Sequence, residues 1–595
     1  MQGENKDESS TEQNSLYVII INACNLKIFV IKSKCMICVR EKLLQEVVML
    51  KGKIFAVFSA LLLMSSALSS SVFATESVDE TKVFDEETGV YYNTQDDWLH
   101  VEGDKIYDMD GNEVWLTGCN WFGYNVGSQV FDGVWSQNMH DMLRQIADHG
   151  FNVLRVPMST QILLQWKNNE PDPATPKVNV WSNPELTVEG VQGGECMYSF
   201  DIWNYAVKWC RQLGIKIFID IHCASTHSAG HNFNMWYDDT YSTQDMNDAL
   251  CWFADYYKND DTIIGIDIKN EPHGTINEGD FAKWDGSEDA TNWRYVASTI
   301  GSNILDVNPN LLIFVEGIEC YPKFEDGNDW NSPEIDYTTM YNYYHTTWWG
   351  ANLRGAAEYP IDFGSDEKNA QLVYSPHDYG PLVYMQTWFY DGFNRQTLMD
   401  DCWRDNWAYL LEEDIAPILI GEWGGFIDDE HDADGKNRQW LSALREYIIE
   451  DHIHHTFWCF NENSSDTGGL IYDNFTTWDE EKYAFVEVAL WQDDAGKFIS
   501  LDHEVAVGAN GISLGEYYSD SKTEAPIIYG DANGDGVVNS IDATIVTRAA
   551  LNVLTLSEEV SLRCDVNGDG SINSIDATII VRYALGVLTQ FPVEK

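Results

Sequence analysis

Two glutamates, Glu271 and Glu422, occupy positions where a pair of carboxylates could do chemistry. Glu271 follows the fourth of a series of short apolar runs, directly after the amide residue Asn270, and Glu422 ends the seventh run. If these runs are parallel strands, their carboxyl ends meet on one rim, which brings the two glutamates together. One carboxylic acid can then protonate a leaving oxygen while the other carboxylate attacks the anomeric carbon or activates a water. Glycoside hydrolysis requires this arrangement.

Other strand ends supply groups that could keep Glu422 ionised. Arg155, His377 and Tyr379 stand at the ends of apolar runs that would neighbour the seventh run. A nearby positive charge or hydrogen-bond donor stabilises the ionised form of a carboxylate. The competing interpretation is a structural ion-pair network without a catalytic role.

Four histidines raise the alternative of a catalytic metal. His222, His227 and His231 are spaced H-x4-H-x3-H, and His377 ends a later run. The first three lie around a Ser- and Gly-containing loop without a cysteine partner or an H-E-x-x-H pattern, so we expect no cofactor for catalysis. A Ser–His–Asp triad is also disfavoured, because no serine lies on a strand-to-helix elbow.

The elements that must position these residues are eight short β-rich runs alternating with amphipathic helical stretches. This alternation predicts an α/β fold, a (β/α)8 TIM barrel. A doubly wound open sheet is the second choice, since no glycine-rich phosphate loop follows an early strand. The predicted strands are Val114–Trp121, Asn152–Met158, Lys216–His222, Ile263–Lys269, Leu311–Glu316, Leu372–His377, Pro417–Glu422 and His455–Phe460. The predicted helices include Met139–His149, Ile202–Leu213, Ala249–Tyr257 and Trp440–Glu450.

Charge and composition narrow the class of partner. The 595 residues include 95 Asp and Glu against 36 Lys and Arg, a net charge of -59. This field repels phosphate backbones and anionic lipid, so neither nucleic acid nor a membrane is an expected partner. With 44% hydrophobic residues the chain can build a large core, and its 23 Trp and 30 Tyr suit stacking on the apolar faces of polar ligands.

The N-terminal segment resembles an export signal. Lys51 and Lys53 precede the apolar run 54–68, and small residues follow up to Ala74. This pattern predicts a signal peptide over 49–74, preceded by an over-extended start over 1–48 to which we assign no function. We therefore expect a secreted, extracellular protein. Three of the 12 cysteines lie in the discarded part, and the odd number that remains, without tight spacing, is not a disulfide framework.

A duplicated acidic loop lies near the C-terminus, after a polar linker predicted over 516–526. Each copy has oxygen ligands at loop positions 1, 3, 5 and 12, a backbone carbonyl at position 7 and glycine at position 6, as in EF-hand calcium loops, and each is followed by an amphipathic helix. The domain 527–595 is so small that its core alone would not hold it folded, and bound metal would have to stabilise it. We therefore expect two Ca²⁺ ions to drive its folding. The predicted ligands are Asp531, Asn533, Asp535, Val537 and Asp542 in the first loop and Asp565, Asn567, Asp569, Ser571 and Asp576 in the second.

Several segments resemble glycoside hydrolase family 5, most closely its bacterial cellulase branch. The similarity covers about 85–515, and its motifs occur in the family's order at the ends of predicted strands. The matching segments are GCNWFG from Gly118, FNVLRVP from Phe151, KNEP from Lys269, YSPHDY from Tyr374 and IGEWGG from Ile420.

This resemblance implies a role for individual residues. Glu271 matches the general acid/base and Glu422 the nucleophile of a mechanism that retains the anomeric configuration, with the two carboxyl groups roughly 5 Å apart. Arg155 and Tyr379 match groups that support the nucleophile. Asn270 matches the ligand of the sugar 2-hydroxyl, His222 and His377 match the two histidines of the site, and Trp458 matches a stacking platform; Trp121 is a further stacking candidate.

The tandem loop-and-helix region resembles a type I dockerin, an all-α domain of paired EF-hand-like loops that plugs an enzyme into a cohesin module of a scaffolding protein. The recognition positions are Ser540, Ile541 and Arg548 in the first half and Ser574, Ile575 and Arg582 in the second.

Together these features predict a secreted, retaining endo-β-1,4-glucanase carried on a cellulosome. The alternatives are the same chemistry on mannan, xyloglucan or mixed-linkage β-glucan, and a catalytically dead barrel that only binds glycan.

Overall fold

The computed structural model describes most of the chain from Lys82 onward. The described residues are 17–22, 27–32, 82–85, 87–170, 176–228, 233–333, 336, 338–521, 528–532, 538–551, 553–554, 556 and 558–594. The chain divides into two compact units, 1–79 and 80–595. In the first, Tyr17–Asn22 pairs antiparallel with Lys27–Lys32. The predicted signal peptide lies outside the described residues, as does the rest of the predicted over-extended start.

Eight parallel strands form the centre of the second unit, as the alternating pattern predicts. They are β1 (Thr117–Asn120), β2 (Val153–Ser159), β3 (Lys216–Cys223), β4 (Ile263–Asp267), β5 (Leu312–Val315), β6 (Leu372–Tyr374), β7 (Leu419–Trp423) and β8 (His454–Phe457).

These strands close into a barrel. Each pairs with its neighbour in chain order, and β8 pairs with β1. Single parallel bridges between Tyr374 and Ile418 and between His377 and Glu422 join β6 to β7. Every strand residue is buried, which explains why the sequence shows continuous apolar runs rather than an alternating pattern. The predicted (β/α)8 barrel is therefore confirmed.

Helices surround the strands, and the four that the sequence predicts are present with ends shifted by up to six residues. Two of the four starts are fixed by side-chain caps, Asn138 for Met139–Asp148 and the capping box of Ser242 with Asp245 for Thr243–Tyr256. The α-helices of this part are Met139–Asp148, Thr160–Lys167, Ser199–Gln212, Thr243–Tyr256, Trp293–Val307, Asp366–Asn369, Arg395–Leu398, Tyr409–Glu412, Lys436–Glu450, Glu480–Glu487 and Leu514–Ser521, with a π-helix at Met399–Ala408 and 3₁₀ turns at Pro184–Leu186, Phe324–Asp326 and Met340–Asn342.

Three antiparallel hairpins add to the barrel. Lys82–Asp85 pairs with Val90–Asn93, and Leu99–Glu102 pairs with Lys105–Asp108, both before β1. The third, Cys320–Pro322 with Tyr344–Thr346, lies in the long connection that follows β5. Among the described residues, none of the helices combines the length and apolarity that crossing a bilayer requires.

The linker predicted over 516–526 begins too early. Leu514–Ser521 is a helix whose Leu514 is fully buried. Its Tyr517 ring packs edge-on against Trp491 at 5.4 Å, and the Tyr518 hydroxyl donates to the carbonyl of Glu113. Spacing of three to four residues puts these apolar groups on one helix face, so the barrel unit continues past the predicted boundary at 515.

The duplicated region forms a small helical core of its own. Ser540–Ala550 and Ser574–Ala584 pack together, and Glu558–Cys564 lies between them in sequence. A 3₁₀ turn at Pro592–Glu594 follows. The core contains Val546, Cys564, Ile580 and Phe591.

A buried lysine forms ion pairs with three carboxylates at the amino-terminal side of the barrel. Lys216, the first residue of β3, contacts Asp97 at 2.5 Å and both Asp261 and Asp502 at 3.3 Å. Burial acts to lower the pKa of Lys216, but the three carboxylates outweigh it and raise that pKa well above its usual value. Lys216 therefore remains charged and joins β3 to three separate segments.

We expect Lys216→Met to lower the free energy of unfolding by about 3–5 kcal/mol, because the buried carboxylates of Asp261 and Asp502 would lose the cation that they share. Those carboxylates would bind protons more tightly in the folded than in the unfolded chain, so part of the loss should be recovered as pH falls from 8 to 5. Denaturant titration measures both effects. The control is Lys258→Met, which removes an exposed lysine paired with Asp255; equal losses in both variants would contradict the role of Lys216.

Candidate active site

Glu271 lies at the carboxyl end of β4 in an unusual backbone conformation. Its φ is 51°, in the left-handed region that side chains other than glycine rarely adopt. Its backbone N–H donates to Oε2 of Glu316 at 2.7 Å, and Nδ1 of His377 lies 2.9 Å from its Oε1. The side chain is therefore fixed from two directions while the residue keeps 8% of its surface exposed.

Glu422, in β7, is held by two donors. Arg155 Nη1 donates to its Oε1 at 2.8 Å and the Tyr379 hydroxyl donates to its Oε2 at 2.5 Å. Burial and the neighbouring Glu422 raise the pKa of Tyr379 well above its usual value, so the phenol keeps the proton that it donates. Both donors stabilise an ionised carboxylate at this position.

The two glutamates are close enough to act on one bond. One oxygen of Glu271, one oxygen of Glu422 and one ring nitrogen of His377 all lie within 4.8 Å of one another. Carboxyl groups about 5–5.5 Å apart are typical of retaining glycosidases, whereas inverting enzymes need about 6.5–9.5 Å to admit a water. The spacing favours direct attack by one carboxylate.

His377 connects the two glutamates electrostatically. Its Nε2 lies 3.1 Å from Oε1 of Glu316 and its Nδ1 lies 3.6 Å from Oε2 of Glu422. Burial acts to lower the pKa of His377, but Glu316 and Glu422 outweigh it and raise this pKa well above its usual value. A charged imidazole therefore stands beside Glu271 and Glu422.

Glu316 is the site residue to which the sequence assigned no role. It is fully buried just after β5 and contacts Arg155, His377 and the backbone of Glu271. The only signal in the sequence is its position at the end of the predicted fifth strand. An acidic residue there is common in so acidic a chain.

A cleft opens above the two glutamates, with a cavity of about 500 Å³. Trp458 and Trp349 line it with exposed faces. Trp458 stacks on His222 with ring centroids 5.6 Å apart, and Ser464 Oγ accepts from its Nε1 at 3.0 Å. Trp349 stacks on His273 at 3.8 Å. These fixed indoles offer flat apolar surfaces of the kind on which sugar rings stack.

Asn270 and His222 are also brought to the site. Asn270 Oδ1 accepts from Arg155 Nη2 at 3.1 Å, while its buried Nδ2 has no protein partner. A ligand hydroxyl would satisfy this donor, since buried polar groups are rarely left unpaired. His222 Nδ1 contacts Asp220 at 2.5 Å, and its Nε2 lies 3.9 Å from Oε1 of Glu422.

One predicted stacking residue does not reach the cleft. Trp121 is fully buried, where it stacks on Phe131 at 4.1 Å and donates from Nε1 to the carbonyl of Asp132. The turn after β1 directs this indole into the core, so the prediction for Trp121 is wrong. Arg155 is also completely buried and contacts carboxylates rather than the cleft. Its contact with Glu422 is the one that the family resemblance predicts for a group that supports the nucleophile.

The second acidic loop is folded around Asp565. Its Oδ1 accepts from the N–H of Gly568 at 2.9 Å and its Oδ2 accepts from that of Gly570 at 2.7 Å. At the other end of the loop, Asp576 is fully buried and accepts from Asn567 and Asn573 at 3.3 and 3.0 Å. The two carboxylates, with the side-chain oxygens of Asn567 and Asp569 and the Ser571 carbonyl, are the hard oxygen donors that Ca²⁺ prefers.

The first loop is described only at its ends. Asp531 and Asp542 are buried, and Asp542 accepts from Ala532 and Asn539 at 2.9 and 2.8 Å. Asp542 therefore repeats the environment of Asp576. The predicted ligands Asn533, Asp535 and Val537 lie outside the described residues, as does His231.

The six predicted partner-binding residues all lie on the surface. Ile541 and Ile575 occupy equivalent first-turn positions and are 57% and 56% exposed. The other four, Ser540, Arg548, Ser574 and Arg582, are exposed on the same two helices.

Two family profiles match the chain. Residues 107–464 match the cellulase family, glycosyl hydrolase family 5, and residues 529–585 match the dockerin type I domain.

Relatives with known names cover most of the chain. It is 46% identical over 491 residues to Endoglucanase G of Acetivibrio thermocellus (77% of this chain, 85% of that protein) and 40% identical over 502 residues to Endoglucanase B of the same organism (77% and 86%). An endocellulase structure from Pyrococcus horikoshii matches with 32% identity and a TM-score of 0.56, over 66% of this chain and 98% of that one. The major endoglucanase of Xanthomonas campestris matches with 26% identity and a TM-score of 0.53, over 66% and 99%. The chain therefore belongs to glycosyl hydrolase family 5, the cellulase family, and carries a type I dockerin domain.

Proposed function

We propose that this protein is a secreted, retaining endo-β-1,4-glucanase that hydrolyses internal bonds of cellulose and is anchored to a cellulosome through its dockerin. The observation that carries the proposal is the Glu271/Glu422 pair, with oxygens within 4.8 Å at the carboxyl end of the barrel. The names of the four relatives given above, three endoglucanases and one endocellulase, support the choice of β-1,4-glucan.

In the first step Glu422 is the nucleophile. Its carboxylate oxygen forms a bond to the anomeric carbon while the bond from that carbon to the glycosidic oxygen breaks. Glu271 donates its proton to the departing oxygen, so the leaving sugar carries away a neutral hydroxyl. Arg155 and Tyr379 hold the attacking carboxylate in place by donating to its two oxygens.

In the second step Glu271, now ionised, is the base. It takes a proton from a water that attacks the anomeric carbon, and the ester bond to Glu422 breaks. Glu422 leaves as a carboxylate, to which Arg155 and Tyr379 again donate. Two inversions return the product in its original anomeric configuration, and Glu271 ends the cycle protonated.

The cleft suits a neutral polysaccharide. Trp458 and Trp349 offer stacking surfaces, and the free Nδ2 of Asn270 would donate to a sugar hydroxyl. The same features would accept mannan, xyloglucan or mixed-linkage β-glucan, which remain the alternative substrates. A catalytically dead glycan-binding barrel is disfavoured because Glu271, Glu422 and their supporting groups are all in place.

The dockerin would attach this enzyme to a cohesin module of a scaffolding protein. Asp565, Asn567, Asp569, Asp576 and the Ser571 carbonyl would hold one Ca²⁺, and the first loop a second. Bound calcium would neutralise the clustered carboxylates and fix both loops against their helices. The exposed Ser–Ile pairs and arginines would contact the cohesin. Such a complex is extracellular, in agreement with the predicted signal peptide.

We expect Glu422→Gln to abolish hydrolysis of carboxymethylcellulose and of an aryl cellobioside, because no nucleophile remains. Glu271→Gln should lose about 10²- to 10⁴-fold on the polymer but keep a burst on 2,4-dinitrophenyl cellobioside, whose leaving group needs no proton. Reducing-sugar release and stopped-flow absorbance measure these effects. Glu446→Gln, on an exposed helix position, is the control and should match the wild type. Wild-type turnover by Glu422→Gln would refute the mechanism.

Specificity is tested by assaying carboxymethylcellulose, mannan, xyloglucan and mixed-linkage β-glucan side by side with equal enzyme. We expect the highest release of reducing ends from β-1,4-glucan, with a rapid fall in viscosity because internal bonds are cut. Faster release from mannan or xyloglucan would replace the substrate while leaving the chemistry intact.

Calcium removal should separate the two domains functionally. In EDTA we expect the full chain to lose capture by a type I cohesin while its activity on soluble glucan is unchanged, because no metal takes part in the proposed catalysis. Asp565→Ala should weaken capture in the same way, whereas Asp110→Ala, in an unrelated D-x-D-G turn before the barrel, should not. Unchanged capture in EDTA would rule out the calcium role.

A further inference from the structure

Glu316 contacts, from the barrel interior, groups that orient both Glu271 and Glu422. Its Oε2 accepts the backbone N–H of Glu271 at 2.7 Å, and its Oε1 lies 3.2 Å from Arg155 Nη2 and 3.1 Å from His377 Nε2. Arg155 in turn holds Glu422, and His377 contacts the Glu271 side chain. One fully buried side chain therefore contacts the backbone of Glu271 and also Arg155 and His377, which contact the carboxylates of the two glutamates.

The backbone of Glu271 depends on this contact. Its left-handed φ of 51° is disfavoured for a residue with a side chain, so the surrounding structure must hold it. The hydrogen bond to Glu316 Oε2 is the contact that satisfies the Glu271 N–H. Loss of this acceptor would free the backbone to relax and move the carboxyl of Glu271.

Gly350 leaves the space that Glu316 needs. A Cβ at Gly350 would lie 2.0 Å from Oε2 of Glu316 and 3.3 Å from Cα of Glu271. Gly350 is itself fixed, because its carbonyl accepts from the N–H of Gly317 at 2.6 Å. The close approach of the loop to the carboxylate is therefore possible only without a side chain at position 350.

The groups that face Glu316 come from three strands or their ends. Arg155 on β2 and His377 after β6 are cations, and Asp267 on β4 is a further carboxylate. Burial lowers the pKa of Lys269, which follows β4. Burial raises the pKa of Glu316 to about 8. His377, whose pKa is also raised, is charged at neutral pH and lies beside both Glu316 and Glu271.

We propose that Glu316 is a positioning residue for glycoside hydrolysis, one that fixes the acid/base Glu271 and sets the upper pH limit of activity through His377. The proposal rests on the proposed function, since Glu271 must carry a proton when substrate binds. Because Glu316 is fully buried, its effect should fall on kcat rather than on KM. A merely structural role would change stability without moving the pH profile.

The test is the pH dependence of kcat and KM for the full chain carrying Glu316→Gln, with a soluble β-1,4-glucan as substrate. Misplacement of Glu271 should lower kcat about a hundredfold, with KM changed little. Above pH 8, where Glu316 is ionised, Gln lacks its negative charge. This loss weakens proton binding at neighbouring groups, so the alkaline limb should move to lower pH by roughly one unit.

A second variant separates position from charge. Gly350→Ala keeps every ionisable group but pushes on Oε2 of Glu316, so it should lower kcat with a smaller shift of the alkaline limb. It also provides the measurement if Glu316→Gln fails to fold. The control is Asp502→Asn, which removes a buried carboxylate from the Lys216 cluster and should lower the melting temperature without changing the pH profile.

The outcomes distinguish this inference from the proposed function. If the wild type hydrolyses glucan and both Glu316→Gln and Gly350→Ala keep its kcat and pH limits, the role of Glu316 is refuted and the glucanase stands. If Glu316→Gln lowers kcat but shifts the profile no more than Asp502→Asn does, the positioning role is likewise refuted. A wild type without activity on any glucan would instead overturn the function itself.

Discussion

The active site depends on one buried guanidinium. Arg155 is fully enclosed in the barrel and lies 2.8–3.4 Å from carboxylates on four other strands or their ends, namely Asp220, Asp267, Glu316 and Glu422. Burial works against its charge, but these carboxylates outweigh it and raise the pKa of Arg155 well above its usual value. Removal of this cation would leave several uncompensated buried charges, so the placement of the nucleophile and the integrity of the barrel interior cannot be separated.

A second buried cation is paired with several carboxylates at the amino-terminal side of the barrel. There Lys216, the first residue of β3, contacts Asp97, Asp261 and Asp502. In a chain with 95 acidic and 36 basic residues, these two interior cations are each shared among several carboxylates. The two clusters differ in position. The Lys216 cluster lies away from the cleft, whereas the Arg155 cluster presents one member, Glu422, to it. The proposed nucleophile, Glu422, is therefore the point at which the buried ion-pair network of Arg155 reaches the cleft.

The sequence predicts the barrel and its two glutamates because both follow from local patterns. Buried parallel strands are continuous apolar runs, and the carboxyl ends of such strands share a rim. Trp121, the linker at 516 and Glu316 depend instead on tertiary contacts. In the sequence, Trp121 and Trp458 both stand at strand ends and cannot be told apart. Trp121 faces inward because of the turn after β1 and its packing on Phe131, which are tertiary features. Glu316 resembles any acidic residue after a strand until its depth and its contact with Glu271 are known.

The charges at the cleft also restrict the substrate. Among the described residues that line the cavity are four carboxylates, Glu271, Glu319, Glu422 and Asp466, and neither lysine nor arginine. The cations of the site, Arg155 and His377, lie beneath these carboxylates and are fully buried. A polysaccharide with a carboxylate or sulfate on every sugar would therefore meet like charge without an accessible counter-ion, whereas the partly substituted carboxymethylcellulose still offers uncharged stretches. Binding must come from indole faces and hydroxyl hydrogen bonds, which selects for an uncharged glycan before any particular sugar is distinguished.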